Sequence, residues 1–168
     1  IVDEYAPLEW QAVFGASYVL TGTLSMHYNF AGGTIAPRKG SVNDERLTPL
    51  NETRLQHDLG LRFRSPTQNE ASLSVFYMDR KNALELSGQT LTTEDEMVVE
   101  LYENIDKSSY GLELSTKMNI PVLHSYLFAN ATFMEGQNDI NGSTETDKKL
   151  PNIILNSGIF FEYSGLDA

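Results

Sequence analysis

The 168-residue chain carries 23 acidic against 12 basic residues, a formal charge of −11, and no cysteine. Such a charge repels a phosphate backbone, and no basic stripe with interleaved aromatics offsets it, which argues against nucleic-acid binding. The missing thiols exclude disulfides and thiolate metal sites, and every apolar run falls far below the roughly 20 residues of a membrane-spanning helix.

What the chain does show is period two. In "FGASYVL", Phe14, Ala16, Tyr18 and Leu20 share one face. In "TLSMHYNF", Leu24, Met26, Tyr28 and Phe30 oppose Ser25, His27 and Asn29. "RLQHDLGLRFR" puts Leu55, His57, Leu59, Leu61 and Phe63 against Gln56, Asp58, Arg62 and Arg64. "EASLSVFYMDR" sets Ala71, Leu73, Val75 and Tyr77 against Ser72, Ser74, Phe76 and Met78. "SYGLELSTKM" sets Tyr110, Leu112, Leu114 and Met118 against Ser109, Gly111, Glu113, Ser115 and Lys117. "SYLFANATF" and "NIILNSGIFFEY" repeat the pattern, the latter with Ile153, Leu155, Ile159, Phe161 and Tyr163 on one face. Successive strand side chains point to opposite faces, so these read as roughly seven strands, each with one apolar side. "TTEDEMVVELYENI" is ambiguous. A threonine followed by acids suits a short helix, and we place it in a loop entering a strand near Val98.

The connections alternate as the strands do. Thr21–Thr23, Ser65–Asn69 and Asn119–Pro121 are short turns, whereas "AGGTIAPRKGSVNDERLTPLNE", "KNALELSGQTLTTEDEM" and "EGQNDINGSTETDKK" are long and polar. In a meander the short turns then fall at one end and the long loops at the other. Transmembrane β-barrels have this asymmetry, and a negative mean hydropathy is compatible with strands apolar on one face only. A soluble barrel or sandwich binding a small ligand carries the same alternation with its apolar face inward. Both readings stand on patterning alone.

Four stretches resemble the carboxy-terminal half of TonB-dependent outer-membrane receptors: "GASYVLTGTLSMHYNFAGGTIAPR", "LTPLNETRLQHDLGLRFRSP", "SLSVFYMDRKNAL" and "LYENIDKSSYGLELS". "LPNIILNSGIFFEY" follows in the expected order. One departure is that Pro49 is followed by Leu50, Asn51 and Glu52 where the family usually has Pro directly before Glu. The resemblance implies an all-β, antiparallel up-and-down meander forming part of a large transmembrane barrel of about 22 strands. Residues 1–168 are then expected to be a partial barrel, incomplete at both ends, without plug domain. It implies a bacterial outer-membrane location and TonB-dependent uptake of a scarce ligand, a ferric siderophore or similar iron complex. The implied partners are that ligand, outer-membrane lipid, and TonB through a plug absent from this chain. The faces carrying Leu55 to Phe63, Leu112, Leu114, Leu127, Ala129 and Phe133 would meet lipid. Gln56, Asp58, Arg62, Glu113, Ser115, Asn130 and Thr132 would face the lumen.

No catalytic constellation accompanies these patterns. His27, His57 and His124 are the only histidines, and His57 and Asp58, adjacent in a strand, point to opposite faces. No HExxH, GxSxG or phosphate-cradling glycine loop occurs. Glu94, Asp95 and Glu96 read as a solvated loop face rather than a metal site, and no cofactor is implied. Arg38 and Lys39, in the first long loop, are the candidate ligand contacts, as cations able to attract an anionic ferric complex. Tyr28, Tyr77, Tyr102, Tyr110 and Tyr163 are candidates for interfacial aromatic belts.

Overall fold

The computed structural model describes residues 9–38, 40–92, 96, 98–140 and 142–161. The elements are β1 (Gln11–Val19), β2 (Leu24–Ile35), β3 (Glu52–Arg64), β4 (Glu70–Thr92), β5 (Val98–Ile120), β6 (Ser125–Ile140), β7 (Ser143–Thr146) and β8 (Ile153–Phe161). A single 3-10 turn, Pro121–Leu123, links β5 to β6. Among the described residues no helix is long and apolar enough to cross a membrane. All neighbours pair antiparallel in chain order from β1 to β7, and β8 returns to the lower part of β6. Among the described residues β1 pairs with β2 alone and β8 with β6 alone, so the sheet does not close. The expected antiparallel meander is present.

Register turns seven separate alternations into two continuous surfaces. Tyr18, Met26, Leu61, Leu73, Leu114, Ala131 and Leu155 stand side by side across seven strands. The next row of the same face is Ala16, Tyr28, Leu59, Val75, Leu112, Phe133 and Ile153. On the opposite face Ser25, Arg62, Ser72, Ser115, Asn130 and Asn156 form one row. Ser17, His27, Gly60, Ser74, Glu113 and Thr132 form the next. Every described strand residue expected on the apolar or the polar face lies where the alternation put it.

Curvature distinguishes the faces further. On β4 the apolar-face residues Val75 and Tyr77 are exposed, while Phe76 and Met78 between them are half-buried. A curved sheet crowds its concave side and splays its convex side, so the polar face is the concave one. Gly111 shows how tight that side is. A Cβ there would collide with the Phe133 carbonyl and come within 2.7 Å of the Phe76 ring, which lies across it. The leucines therefore coat the convex outside, the reverse of a soluble barrel.

The apolar band ends at one row. Phe14, Phe30, His57, Tyr77 and Tyr110 stand abreast, and in the next convex row Leu55, past the aromatics, stands beside Asp79, Ser108 and Gln137. His57, the polar residue on this face, shares a 2.8 Å hydrogen bond between its Nδ1 and the Tyr28 hydroxyl. The aromatic-belt expectation fits Tyr28, Tyr77 and Tyr110. Tyr102 lies beyond the band and Tyr163 outside the described residues.

The long connections differ from expectation. "AGGTI" completes β2, and β4 and β5 run to 23 residues each, against the roughly 9–11 that a bilayer requires. "KNALELSGQTLT" is thus the projecting half of a hairpin rather than a loop, and most of "EGQNDINGSTETDKK" belongs to β6 and β7. Outside the bilayer both faces are wet, so a strand there loses its one-sided apolar signature while keeping its ladder of hydrogen bonds. A bulge between Arg80 and Ala83 and another between Leu86 and Thr90 bend the hairpin. Asn82 takes a positive φ of 56° at the first of these. The strand near Val98 is as expected, while residues 93–95 and 97, which carry the helix alternative with Glu94 and Asp95, lie outside the described residues.

Among the described residues only the segment between β2 and β3 is a long irregular loop, and it packs on this hairpin. The Asn104 side chain accepts from the Leu50 N–H (2.8 Å) and donates to the Leu50 and Asn82 carbonyls, while the Tyr102 N–H reaches the Val42 carbonyl (2.9 Å). The buried apolar side chains of the described residues, Pro49, Ala83, Leu101 and Ile105, all belong to this loop and hairpin.

The sidedness has a measurable consequence. In a bilayer, Leu61→Arg should destabilise the folded protein by about 2–4 kcal/mol, its row lying within the apolar band. Asn130→Arg, on the concave face, should stay within about 0.5 kcal/mol. Denaturant unfolding of the whole protein in lipid vesicles separates the two, and equal losses would contradict the assignment of faces.

Candidate functional site

The concave face carries the charges that alternation places at every second residue of β3 and β4. Glu52, Arg54, Gln56 and Asp58 share one side of β3, and register brings Arg80 of β4 opposite Arg54 and Lys107 of β5 opposite Arg80. Three cations abreast would repel one another, and carboxylates from other positions prevent it. Glu52 accepts from Arg80 through both oxygens, Nε to Oε1 at 2.8 Å and Nη2 to Oε2 at 2.9 Å. The same Oε1 accepts from Arg54 Nε (3.0 Å) and Nη2 (2.7 Å). Glu52 is 8% exposed, so its charge depends on these two guanidinium groups for compensation.

A second cluster adjoins the first, beyond the apolar band. Lys107, nearly buried, donates to Glu85 Oε1 at 2.6 Å and lies 3.5 Å from Asp147 Oδ2. Lys149 donates to the other Glu85 oxygen at 2.8 Å. Burial alone would raise the Glu85 pKa; the hydrogen bonds from Lys107 and Lys149 outweigh it and hold the carboxyl below its ordinary range. On the convex side at this height, the backbone N–H of Asn82 and the Lys81 ammonium at 3.0 Å hold Asp106 below its ordinary value as well.

Loop 147–152 folds inward to bring Asp147 there. The Asp147 N–H donates to the Gly136 carbonyl (2.8 Å), the Met134 N–H donates to the Asn152 carbonyl (2.9 Å), and Leu150 sits against Gly136. Together β3 to β6 and this loop enclose an open pocket of about 480 Å³. Phe76, Met78, Met134 and Leu150 give it an apolar floor, and Arg54, Asp58, Arg80, Lys107, Glu113 and Asp147 its charged walls. That volume falls in the range of small-molecule sites.

The sequence of residues 4–166 matches the family model described as TonB dependent receptor-like, beta-barrel. The chain belongs to this family. No curated protein matches it. The family comprises outer-membrane receptors that transport ligands rather than transform them. In a receptor barrel the convex apolar band is the lipid surface and the concave face the lumen, which gives the pocket its sense: it opens onto the transport path.

Of the residues singled out in the sequence, Gln56 and Asp58 line the receptor's pocket, linked to each other by hydrogen bonds of 3.1 and 3.3 Å from the Gln56 amide to the two Asp58 oxygens. Arg64, at the other end of β3, pairs with Glu70 at 2.9 Å. Arg38 is exposed in the β2–β3 loop, where its carbonyl accepts from the Ser41 N–H, and does not line the pocket. Lys39 lies outside the described residues. The Glu52–Arg80 and Glu85–Lys107–Asp147 clusters were not anticipated. Face alternation marks Glu52, Arg80 and Lys107 as concave, but the bulge between Arg80 and Ala83 brings in Glu85, the loop brings in Asp147, and only register across the strands joins them. Among the described residues no group of His, Asp or Glu side chains is placed to hold a metal ion.

Two outcomes follow. Glu52→Gln removes the charge shared by two arginines and should lower the receptor's stability by about 1–3 kcal/mol, whereas Asp58→Asn, which loses only an amide partner, should cost less than about 1. Denaturant midpoints compare them. The Glu85 carboxyl is depressed in the folded state, so its contribution is complete above the ordinary glutamate value of about 4.3 and is lost as pH falls through the lower folded value. Acidification should therefore release loop 147–152, seen as faster amide exchange, and Glu85→Gln should flatten that pH dependence.

Proposed function

We propose that this receptor sits in the bacterial outer membrane and takes up a scarce ligand, a ferric siderophore or similar iron complex, in a TonB-dependent manner. Family membership supports receptor transport, and the observation that supports a small ligand is the 480 Å³ lumen pocket with an apolar floor and polar walls. The chain is one part of the wall. Its edge strands β1 and β8 continue into further strands of the same protein, because unpaired strand edges in lipid would each cost several kcal/mol per group. TonB acts through a plug outside residues 1–168, and lipid covers the convex band. Arg38 and Lys39, in the loop packed on the projecting hairpin, contact the ligand at entry.

Deleting the gene and measuring uptake of radiolabelled iron complexes under iron limitation tests this. Uptake of at least one complex should disappear, and dissipating the inner-membrane energy source should have the same effect while leaving surface binding intact. Unchanged iron uptake, with loss of uptake of a sugar or corrinoid instead, would refute the iron assignment and leave receptor transport in place.

A further inference from the structure

The charge pattern of the pocket and of the segments above it narrows the ligand class. This inference rests on the uptake reading above. Arg54 and Arg80 share Glu52, which leaves one positive charge, and Glu85 with Asp147 balances Lys107 and Lys149. Each basic residue lining the pocket is thus already engaged at ion-pair distance, while Asp58 and Glu113, with no cation at that distance among the described residues, turn the sum to one net negative charge. The projecting segments have the same sign. Residues 80–107 hold three basic against seven acidic residues, and residues 135–149 two against four. Residues 31–52, which include Arg38 and Lys39, are balanced at three against three. An anion approaching the pocket meets a net negative field, and each cation lining it already has an ion-pair partner. Arg38 and Lys39 then act as hydrogen-bond donors to ligand oxygens rather than as a net anion trap.

We infer that the ligand is neutral or cationic, and that among ferric complexes it is a tris-hydroxamate rather than a tris-catecholate. Three hydroxamates, each a monoanion, cancel the charge of the ferric ion, whereas three catecholates, each a dianion, leave three negative charges in excess. The floor suits the same class. Phe76, Met78, Met134 and Leu150 offer an apolar surface to the methylene spacers that join hydroxamates in a linear chain, and thioethers adapt to such irregular shapes.

The test uses the full-length receptor purified in detergent, with fluorescence-monitored binding of three probes at physiological salt. These are a ferric linear tris-hydroxamate bearing a free ammonium, a ferric tris-catecholate, and an iron-free corrinoid. The tris-hydroxamate should bind at least about tenfold more tightly than the tris-catecholate, and the gap should narrow as salt rises. Glu85→Gln with Asp147→Asn frees Lys107 and Lys149 and should close part of that gap. If this variant does not fold, the comparison of probes on the unaltered receptor still decides. Tighter binding of the tris-catecholate overturns the charge inference while leaving iron uptake in place. Binding of the corrinoid alone removes the iron reading and supports a ligand without excess negative charge. Failure of all three to bind overturns both.

Discussion

A backbone inside lipid has no water to bond, so every N–H and C=O must find its partner within the sheet. That requirement explains why β1 to β6 form one unbroken antiparallel ladder and why their connections at the band's lower edge are short. It also ties side-chain placement to register. Once Leu61 is set opposite Leu73 and Leu73 opposite Leu114, the position of every other residue on those strands is determined as far as the first bulge, and a slip of one residue would carry leucines into the lumen and arginines into lipid. The continuity of the apolar rows across seven strands is this constraint made visible.

Beyond the aromatic row the constraint changes. Water can satisfy the backbone there, yet β4 and β5 stay paired as far as Thr92 and Val98. Something other than lipid must make the hairpin worth keeping. The structure supplies two contributions: the small core of Pro49, Ala83, Leu101 and Ile105, and the clasp of Asn104 on Leu50. The bulges at Arg80/Ala83 and Leu86/Thr90 bend the hairpin, and the first of them exposes the Asn82 N–H to Asp106. A rigid projecting hairpin with a loop fastened to it makes a shaped entrance out of segments that their composition alone would leave as polar loops.

The concave wall resolves a different conflict. A lumen that passes a ligand must be polar, but charges crowded on a concave surface lose solvent and interact strongly. The wall answers by pairing, with one carboxylate serving two cations at both Glu52 and Glu85. Pairing fixes the side chains and weakens their far field, so the wall holds its shape without acting as a deep ionic trap. A transport path benefits from that balance, since a ligand held too strongly would not leave.

The alternation from Leu55 to Phe63, and its recurrence in six other stretches, was enough to establish seven of the eight strands, the antiparallel meander, the two faces of the band and the short turns, because period two is a local property of extended backbone. Motif order likewise carried the family. The lengths of β4 and β5 were not legible, since a strand wet on both faces loses the apolar signal that marks it. The short β7 was hidden for the same reason. Nor was the pocket legible: Glu52 and Arg80 are 28 residues apart, and Glu85 and Lys149 are 64 apart. Which charges meet is decided by register across several strands and by the inward fold of loop 147–152, and neither is a property of any one segment. Sequence determined on which face each side chain of the apolar band stands; only the assembled sheet, with its bulges, decided the rest and what each side chain touches.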